Sequence, residues 1–214
     1  MTQATSFSQP EERDRACDGS AGGLQATFHA RFALPGVHPS AGLLCLLLLL
    51  TACNPALNWR EIRIKDSALV AMLPCKPDAG ARTVPLGGRD VSMHMTGCDA
   101  GGATFAVAHA TVDAASAAPT VLAQWRRATL ANMAALSSRD LPLNAATTAV
   151  LGSAAAAPMR VAAEGQRKDG SAVAMQGLWF AKDTQVFHAV VYAERISPDV
   201  SEAVETFFSG LKFQ

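Results

Sequence analysis

The stretch RTVPLGGRDVSMHMTGCDAGGATFAVAHATV, residues 82–112, decides the fold. Two glycine pairs, Gly87-Gly88 and Gly101-Gly102, cut it into three segments. Adjacent glycines reach the positive φ angles that two-residue hairpin turns require. Between the pairs, residues 90–96 alternate, with Val91, Met93 and Met95 on one face. Residues 104–112 alternate too: Phe105, Val107 and His109 face one way, Ala106, Ala108 and Ala110 the other. A period of two over such lengths signals β-strands. Residues 82–86, and the apolar run 68–73 stopped by Pro74, complete an expected antiparallel meander of four strands.

Downstream the period changes. After a loop at 113–119, Thr120 is placed to cap a helix running to about Leu136. Leu122, Trp125, Thr129, Met133 and Leu136 recur at spacings of three and four, the stripe of an amphipathic helix laid on a sheet. Residues 144–151, 159–167, 172–180 and 184–192 then read as a second meander. Its connections are the alanine-rich loop 152–158, the Lys168-Asp169-Gly170 hairpin and the Lys182-Asp183 turn. Ser197-Pro198-Asp199 starts the last helix: serine caps, proline fits the first turn, and the carboxylate suits the positive end of the helix dipole. Val200, Ala203, Val204, Phe207 and Leu211 form its stripe. The expected fold is therefore α+β: an antiparallel sheet of two meanders, covered by two amphipathic helices.

The 214 residues carry 18 basic and 18 acidic side chains; half are apolar and 17% are charged. That balance excludes a basic nucleic-acid binder and a disordered polyelectrolyte. Much of the apolar half is alanine, so it does not by itself imply a membrane protein.

One segment before the domain stands apart. Residues 41–53 read AGLLCLLLLLTAC. As a helix, Ala41 to Ala52 would span about 18 Å at 1.5 Å per residue. A bilayer core needs roughly 30 Å, and Pro39, Gly36 and Pro35 block extension backwards. The length is that of a signal-peptide apolar region.

Leu50-Thr51-Ala52-Cys53 resembles the lipobox of bacterial lipoproteins, Leu-[Ala/Ser/Thr]-[Gly/Ala]-Cys. The resemblance implies a diacylglycerol thioether at Cys53, cleavage before it, and acylation (palmitate, for example) of the new amino terminus. The small Thr51 and Ala52 suit the peptidase cleft. The residues alone also allow a short buried helix with an incidental cysteine, or an uncleaved anchor. The leader departs from the pattern: it is long, and its nearest positive charge is Arg31. A true start downstream of Met1 would account for both. Asn54, not Asp, follows Cys53, which within the resemblance favours the outer membrane over the inner. The expected organisation is a leader at 1–52, a lipidated Cys53 with a polar stalk to residue 65, and one globular domain at 66–214. The domain would face the periplasm, held to the bilayer through Cys53.

Cleavage removes Cys17 and Cys45, and lipidation uses Cys53. Cys75 and Cys98 remain, an even pair in an oxidising compartment. A disulfide between them is expected, worth roughly 3 kcal/mol in the chain-entropy model. The alternatives are two buried thiols or a partial metal site; no Cys-x-x-Cys or His-x-x-x-His spacing supports the metal.

Residues 68–77, ALVAMLPCKP, look like the strand followed by Phe-Pro-x-Lys-Pro that opens many small bacterial secreted domains. With the meander, the helix near residue 120 and the closing Phe207-Phe208 helix, the layout resembles the PsbP-like α-β-α sandwich. That resemblance implies an accessory or scaffolding role in a larger assembly. Asn58-Trp59-Arg60-Glu61, Pro74-Cys75-Lys76-Pro77 and Cys98-Asp99-Ala100-Gly101-Gly102 look like a group of proteobacterial envelope proteins, a likeness that implies no activity.

No Gly-x-Ser-x-Gly, P-loop or Gly-x-Gly-x-x-Gly motif occurs. His94, His109 and His188 fall on three different expected strands, and would converge on zinc only if those strands were adjacent and in register. Asp113, Glu164 and Glu194 are the carboxylates to weigh for acid–base work, and no spacing joins them. No catalytic residue, metal ligand or cofactor is assigned. Met93, Met95, Met159 and Met175 either line a hydrophobic groove or fill the core; the alanine-rich faces favour close helix–sheet packing over a cavity. The functional expectation is a lipid-anchored envelope protein with a protein-binding or accessory domain and no catalysis. The alternatives are a carrier of a small apolar ligand between helix and sheet, and an enzyme of unknown class. An apolar pocket would favour the carrier, and an apolar surface near the first helix the partner module.

Overall fold

The computed structural model describes residues 57–151 and 156–214. The leucine run, Leu50, Thr51, Ala52 and Cys53 lie outside the described residues, as does most of the expected loop after Leu151. The elements are β1 (Arg60–Arg63), β2 (Leu69–Leu73), β3 (Asp78–Leu86), β4 (Arg89–Ala100), β5 (Ala103–Thr111), α1 (Ala118–Asn132) and β6 (Ser137–Leu141). They continue with α2 (Ala145–Leu151), β7 (Met159–Gln166), β8 (Ala172–Lys182), β9 (Gln185–Ala193), α3 (Pro198–Ser209) and β10 (Lys212–Phe213).

The domain is an α+β sandwich. Seven strands form one antiparallel sheet in the order β3-β4-β5-β9-β8-β7-β6, and β1-β2-β10 form a smaller antiparallel sheet. Alternation along the central strands feeds two cores, one on each face of the large sheet. Ala106, Ala108, Val186 and Val190 face α1, whose Val121, Leu122 and Trp125 are buried against them. Phe105, Val107, Phe187 and Val191 face the other way, toward Leu69 and Leu73 of the small sheet and Val204 and Phe207 of α3. Each such side chain contributes about 1.5–3 kcal/mol when fully buried. Arg160 on β7 adds a polar clasp: it pairs with Glu205 of α3, donates to Gln176 Oε1 at 2.6 Å, and lies 5.2 Å from the Phe208 ring centroid.

The turns follow their glycines. Gly87, Gly88, Gly101 and Gly102 all have positive φ, and join β3 to β4 and β4 to β5. Ser197 caps α3, its side chain accepting from the Val200 N–H with Pro198 in the first turn.

Four expectations are corrected. The run 69–73 does not belong to the meander; it is β2, the centre of the small sheet. Residues 60–63, expected in the stalk, form β1 and pair with it in register Arg60↔Leu73. Residues 145–151, expected as a strand, form α2, and the strand before β7 is Ser137–Leu141 instead. Finally, α1 begins at Ala118, out of a 3-10 turn over Ala115–Ala117, with no side-chain cap, so Thr120 lies inside its first turn. It ends at Asn132, and Leu136 is 76% exposed rather than part of the stripe.

Cys75 and Cys98 are disulfide-bonded, with their Cα atoms 6.0 Å apart. Cys75 lies just past β2 and Cys98 lies on β4. Because β2 sits in the other sheet, the bridge ties the small sheet to the large one. It does not join neighbouring strands of one sheet.

Candidate functional site

The face of the large sheet toward α1 is low in the middle. Register sets Met95, Ala108, His188 and Trp179 side by side across β4, β5, β9 and β8. The next row on the same face is Gly97, Ala106, Val190 and Gly177. Ala106, with Ala108 in the row before, forms a floor with little side chain, while the Trp179 ring lies over Gly177. Helix α1 cannot sink onto it, because Trp125 stands edge-on to His188, ring centroids 5.5 Å apart. The space left is a groove of about 470 Å³, open to solvent.

Met93, Met95, Met133 and Trp125 wall this groove, with Ala106, Ala108 and Val190 on its floor. The expectation that alanine faces close the helix–sheet gap is thereby corrected: small side chains under a propped helix leave room. Met93 and Met95 do line the groove. Met159 and Met175 do not; Met175 is fully buried in the core, and Met159 packs against it.

The lining is nearly free of charge. Among the described residues, Arg82 and Arg167 are the only charged ones that line it, and no acid does. Burial shifts its two other titratable groups further towards their neutral forms. Desolvation pushes the His188 imidazole down to about 3 and the Tyr192 phenol up to about 12. Two buried polar atoms beside the groove have no hydrogen-bond partner among the described residues, His188 Nε2 and Trp179 Nε1.

The three strand histidines do not converge. His94 and His109 are cross-strand partners stacked at 5.1 Å, on the face away from α1. His109 Nε2 donates to the Lys65 carbonyl at 3.0 Å, and burial lowers its pKa. His94 Nδ1 lies 3.8 Å from Asp66 Oδ2. His188 is on the opposite face, packed on Trp179. Asp113 pairs with Arg89 at the sheet edge, while Glu164 on β7 and Glu194 past β9 are solvent-exposed. Among the described residues, no group of three His, Cys, Asp or Glu side chains is arranged to hold a metal.

Sequence reasoning missed Trp125 as a prop, and Tyr192, Arg82 and Arg167 as lining. A usable signal existed. Glycine inside a strand marks close approach by another group, and Gly97 and Gly177 both interrupt otherwise regular strands. A Cβ on Gly177 would meet the Trp179 ring at 2.7 Å and His188 Nε2 at 2.9 Å.

Two apolar side chains near α1 remain exposed: Met95, 39% exposed at the groove, and Leu136. No protein-family model matches the chain, and no curated protein matches its sequence.

Proposed function

We propose that the chain is a lipid-anchored protein of the bacterial cell envelope whose domain holds a small apolar molecule between α1 and the large sheet. The groove carries this reading. Its volume of about 470 Å³ falls in the range of small-molecule sites, about 300–1,000 Å³. Methionine, tryptophan, alanine and valine line it together with the uncharged polar Thr104, Thr129, Asn132 and Gln166, and its buried titratable groups are uncharged at neutral pH. Methionine walls adapt to irregular ligands. Both pKa displacements come from desolvation alone, with no charged partner, which fits an apolar container better than an acid–base centre.

The anchor rests on the leucine run and on Leu50-Thr51-Ala52-Cys53. The Cys75–Cys98 bridge suits the periplasm, where disulfides persist. The fold begins soon after Cys53, since the Asn58 N–H already donates to the Pro74 carbonyl at 2.7 Å. An acylated Cys53 would therefore hold the domain close to a bilayer, the outer membrane in the favoured reading, where apolar molecules are concentrated.

The test is native mass spectrometry of the membrane-extracted full chain. The expected mass begins at Cys53, includes acyl chains and lacks two hydrogens for the disulfide, with one further non-covalent adduct. Ala108→Phe, which fills the floor, should lose the adduct and keep the fold by circular dichroism. A wild-type protein without an adduct, or a variant that keeps it, overturns the carrier. A Cys53→Ser protein that stays membrane-bound at the mature size overturns the anchor.

Leu136 and Met95 support a second reading, in which the same region docks an envelope protein. In that case Leu136→Ser would abolish a specific cross-link in intact cells, and Ala108→Phe would leave it in place.

A further inference from the structure

The groove's charge pattern narrows its occupant, granted that the groove is a binding site. We propose that it takes a single-chain amphiphile with an anionic head, the head at Arg82 and the tail under α1. The argument starts from the register. Arg82 on the edge strand β3 lies directly across from Met93 on β4, so its guanidinium stands at one end of the apolar floor. Among the described residues it makes no hydrogen bond or ion pair, as is true also of Arg63, Arg127, Arg139 and Arg195, and of these arginines it is the one that lines the groove. An unmatched guanidinium beside neutral apolar walls attracts a carboxylate or phosphate, which it can grip with two parallel N–H donors.

The opposite end is different. Arg167 folds back on its own hairpin, donating to the Ala172 carbonyl at 2.9 Å, and Asp169 lies within its electrostatic reach. Asp99 lines the cleft next to it and accepts from Thr104. At that end the guanidinium is already hydrogen-bonded within its own hairpin and has carboxylates in its neighbourhood, so the head is placed at Arg82. From there the lining runs across β4, β5, β9 and β8, strands spaced about 4.8 Å apart, a length that an extended chain can follow. A headless hydrocarbon would leave Arg82 without a counter-charge.

The experiment is photolabelling of the full chain in its own membranes. Two probes are compared, a diazirine-bearing palmitate and the matching diazirine hexadecanol, with adducts mapped by peptide mass spectrometry. Palmitate should label Met93, Met95 or Met133 at least tenfold more than the alcohol does. Arg82→Gln should remove that preference, and Arg82→Lys should retain most of it. Arg82 is exposed and unpaired, so neither variant threatens the fold. Excess lysophosphatidylglycerol and excess free palmitate, used as competitors, distinguish a phosphate head from a carboxylate; stronger competition by either supports an anionic head and names its source. Equal labelling by acid and alcohol, unchanged in Arg82→Gln, overturns the inference while the apolar site stands. Labelling of the groove by neither probe overturns both.

Discussion

The imidazole of His188 lies flat on the indole of Trp179, ring centroids 4.1 Å apart and planes 11° from parallel. The two are cross-strand partners on β9 and β8, and Trp125 closes over His188 from α1. Three rings from three elements thus meet at one point on the sheet. That point sets the height of α1, and therefore the depth of the groove.

Acid should weaken this arrangement before it protonates it. Folded His188 stays neutral down to about pH 3, whereas in the unfolded chain it titrates near 6.5. As pH falls through that window, the unfolded state takes up a proton that the folded state refuses. Stability is then lost at up to about 1.4 kcal/mol per pH unit. His109 adds to the loss with the same sign, its pKa also lowered, chiefly by burial. His188→Phe keeps an aromatic ring on Trp179 and removes the titration. Urea midpoints at pH 7, 5.5 and 4 should fall less steeply for the variant than for the wild type; parallel slopes would refute the assignment.

Gly177 has no room for a side chain. A methyl there would sit 2.7 Å from the Trp179 ring, and the ring cannot retreat with His188 against it. Gly177→Ala should cost about 1–3 kcal/mol, the range for overpacking a close-packed site. Gly80 is the control. It pairs with Met95 on the edge strand, and a Cβ there meets nothing within 4 Å. Gly80→Ala should shift stability by no more than about 0.5 kcal/mol. Denaturant melts of the two variants give the comparison directly.

The pattern of success in the sequence is itself physical. Strands β4, β5, β8 and β9 were legible because each buries at least one face, and alternation or continuous apolarity records it. The sequence of β6, Ser-Ser-Arg-Asp-Leu, has no such record: four of its five residues are exposed, and it is a strand because β7 offers an open edge. Residues 145–151 look β-like through Thr147, Thr148 and Val150, yet Asn144 caps them as a helix, accepting from the Thr147 N–H at 2.7 Å. The groove was less legible still, because alanine reads as a close-packing residue. Whether small side chains bring a helix nearer or leave a gap depends on what props the helix, and Trp125 meets His188 only in the fold.

Removing the disulfide should loosen the two sheets from each other. Cys75 and Cys98 are 23 positions apart, and closing such a loop is worth roughly 3 kcal/mol. For a domain of this size that corresponds to about 6–12 °C in Tm. The double variant Cys75→Ser/Cys98→Ser, or the wild type with a reductant, should melt lower by that amount with similar far-ultraviolet circular dichroism at 20 °C. Hydrogen exchange should rise first in β1 and β2, the strands held to β4 through the bridge. Uniform protection in the reduced protein would show that the apolar contacts alone hold the small sheet.

The end of α1 offers a change that should stabilise. The helix closes with the Ala135 N–H donating to the Leu130 carbonyl and the Ala134 N–H to the Ala131 carbonyl, both at 3.0 Å, the paired bonds of a Schellman turn. The residue in the left-handed position of that turn is Ala134, with φ of 42°, where glycine is usual. A left-handed alanine costs about 1–2 kcal/mol, while glycine's extra freedom in the unfolded chain costs about 0.5–1 kcal/mol. Ala134→Gly should therefore gain up to about 1 kcal/mol, or about 2–4 °C in Tm. Ala134→Val should lose more than that, since a β-branched side chain tolerates positive φ poorly. The turn also presses on β7, where Gln166 donates its N–H to the Met133 carbonyl at 2.8 Å and a Cβ on Gly165 would meet that oxygen at 2.1 Å. A destabilised Ala134→Gly protein would mean that the helix end is fixed by this contact with β7 rather than by its own turn.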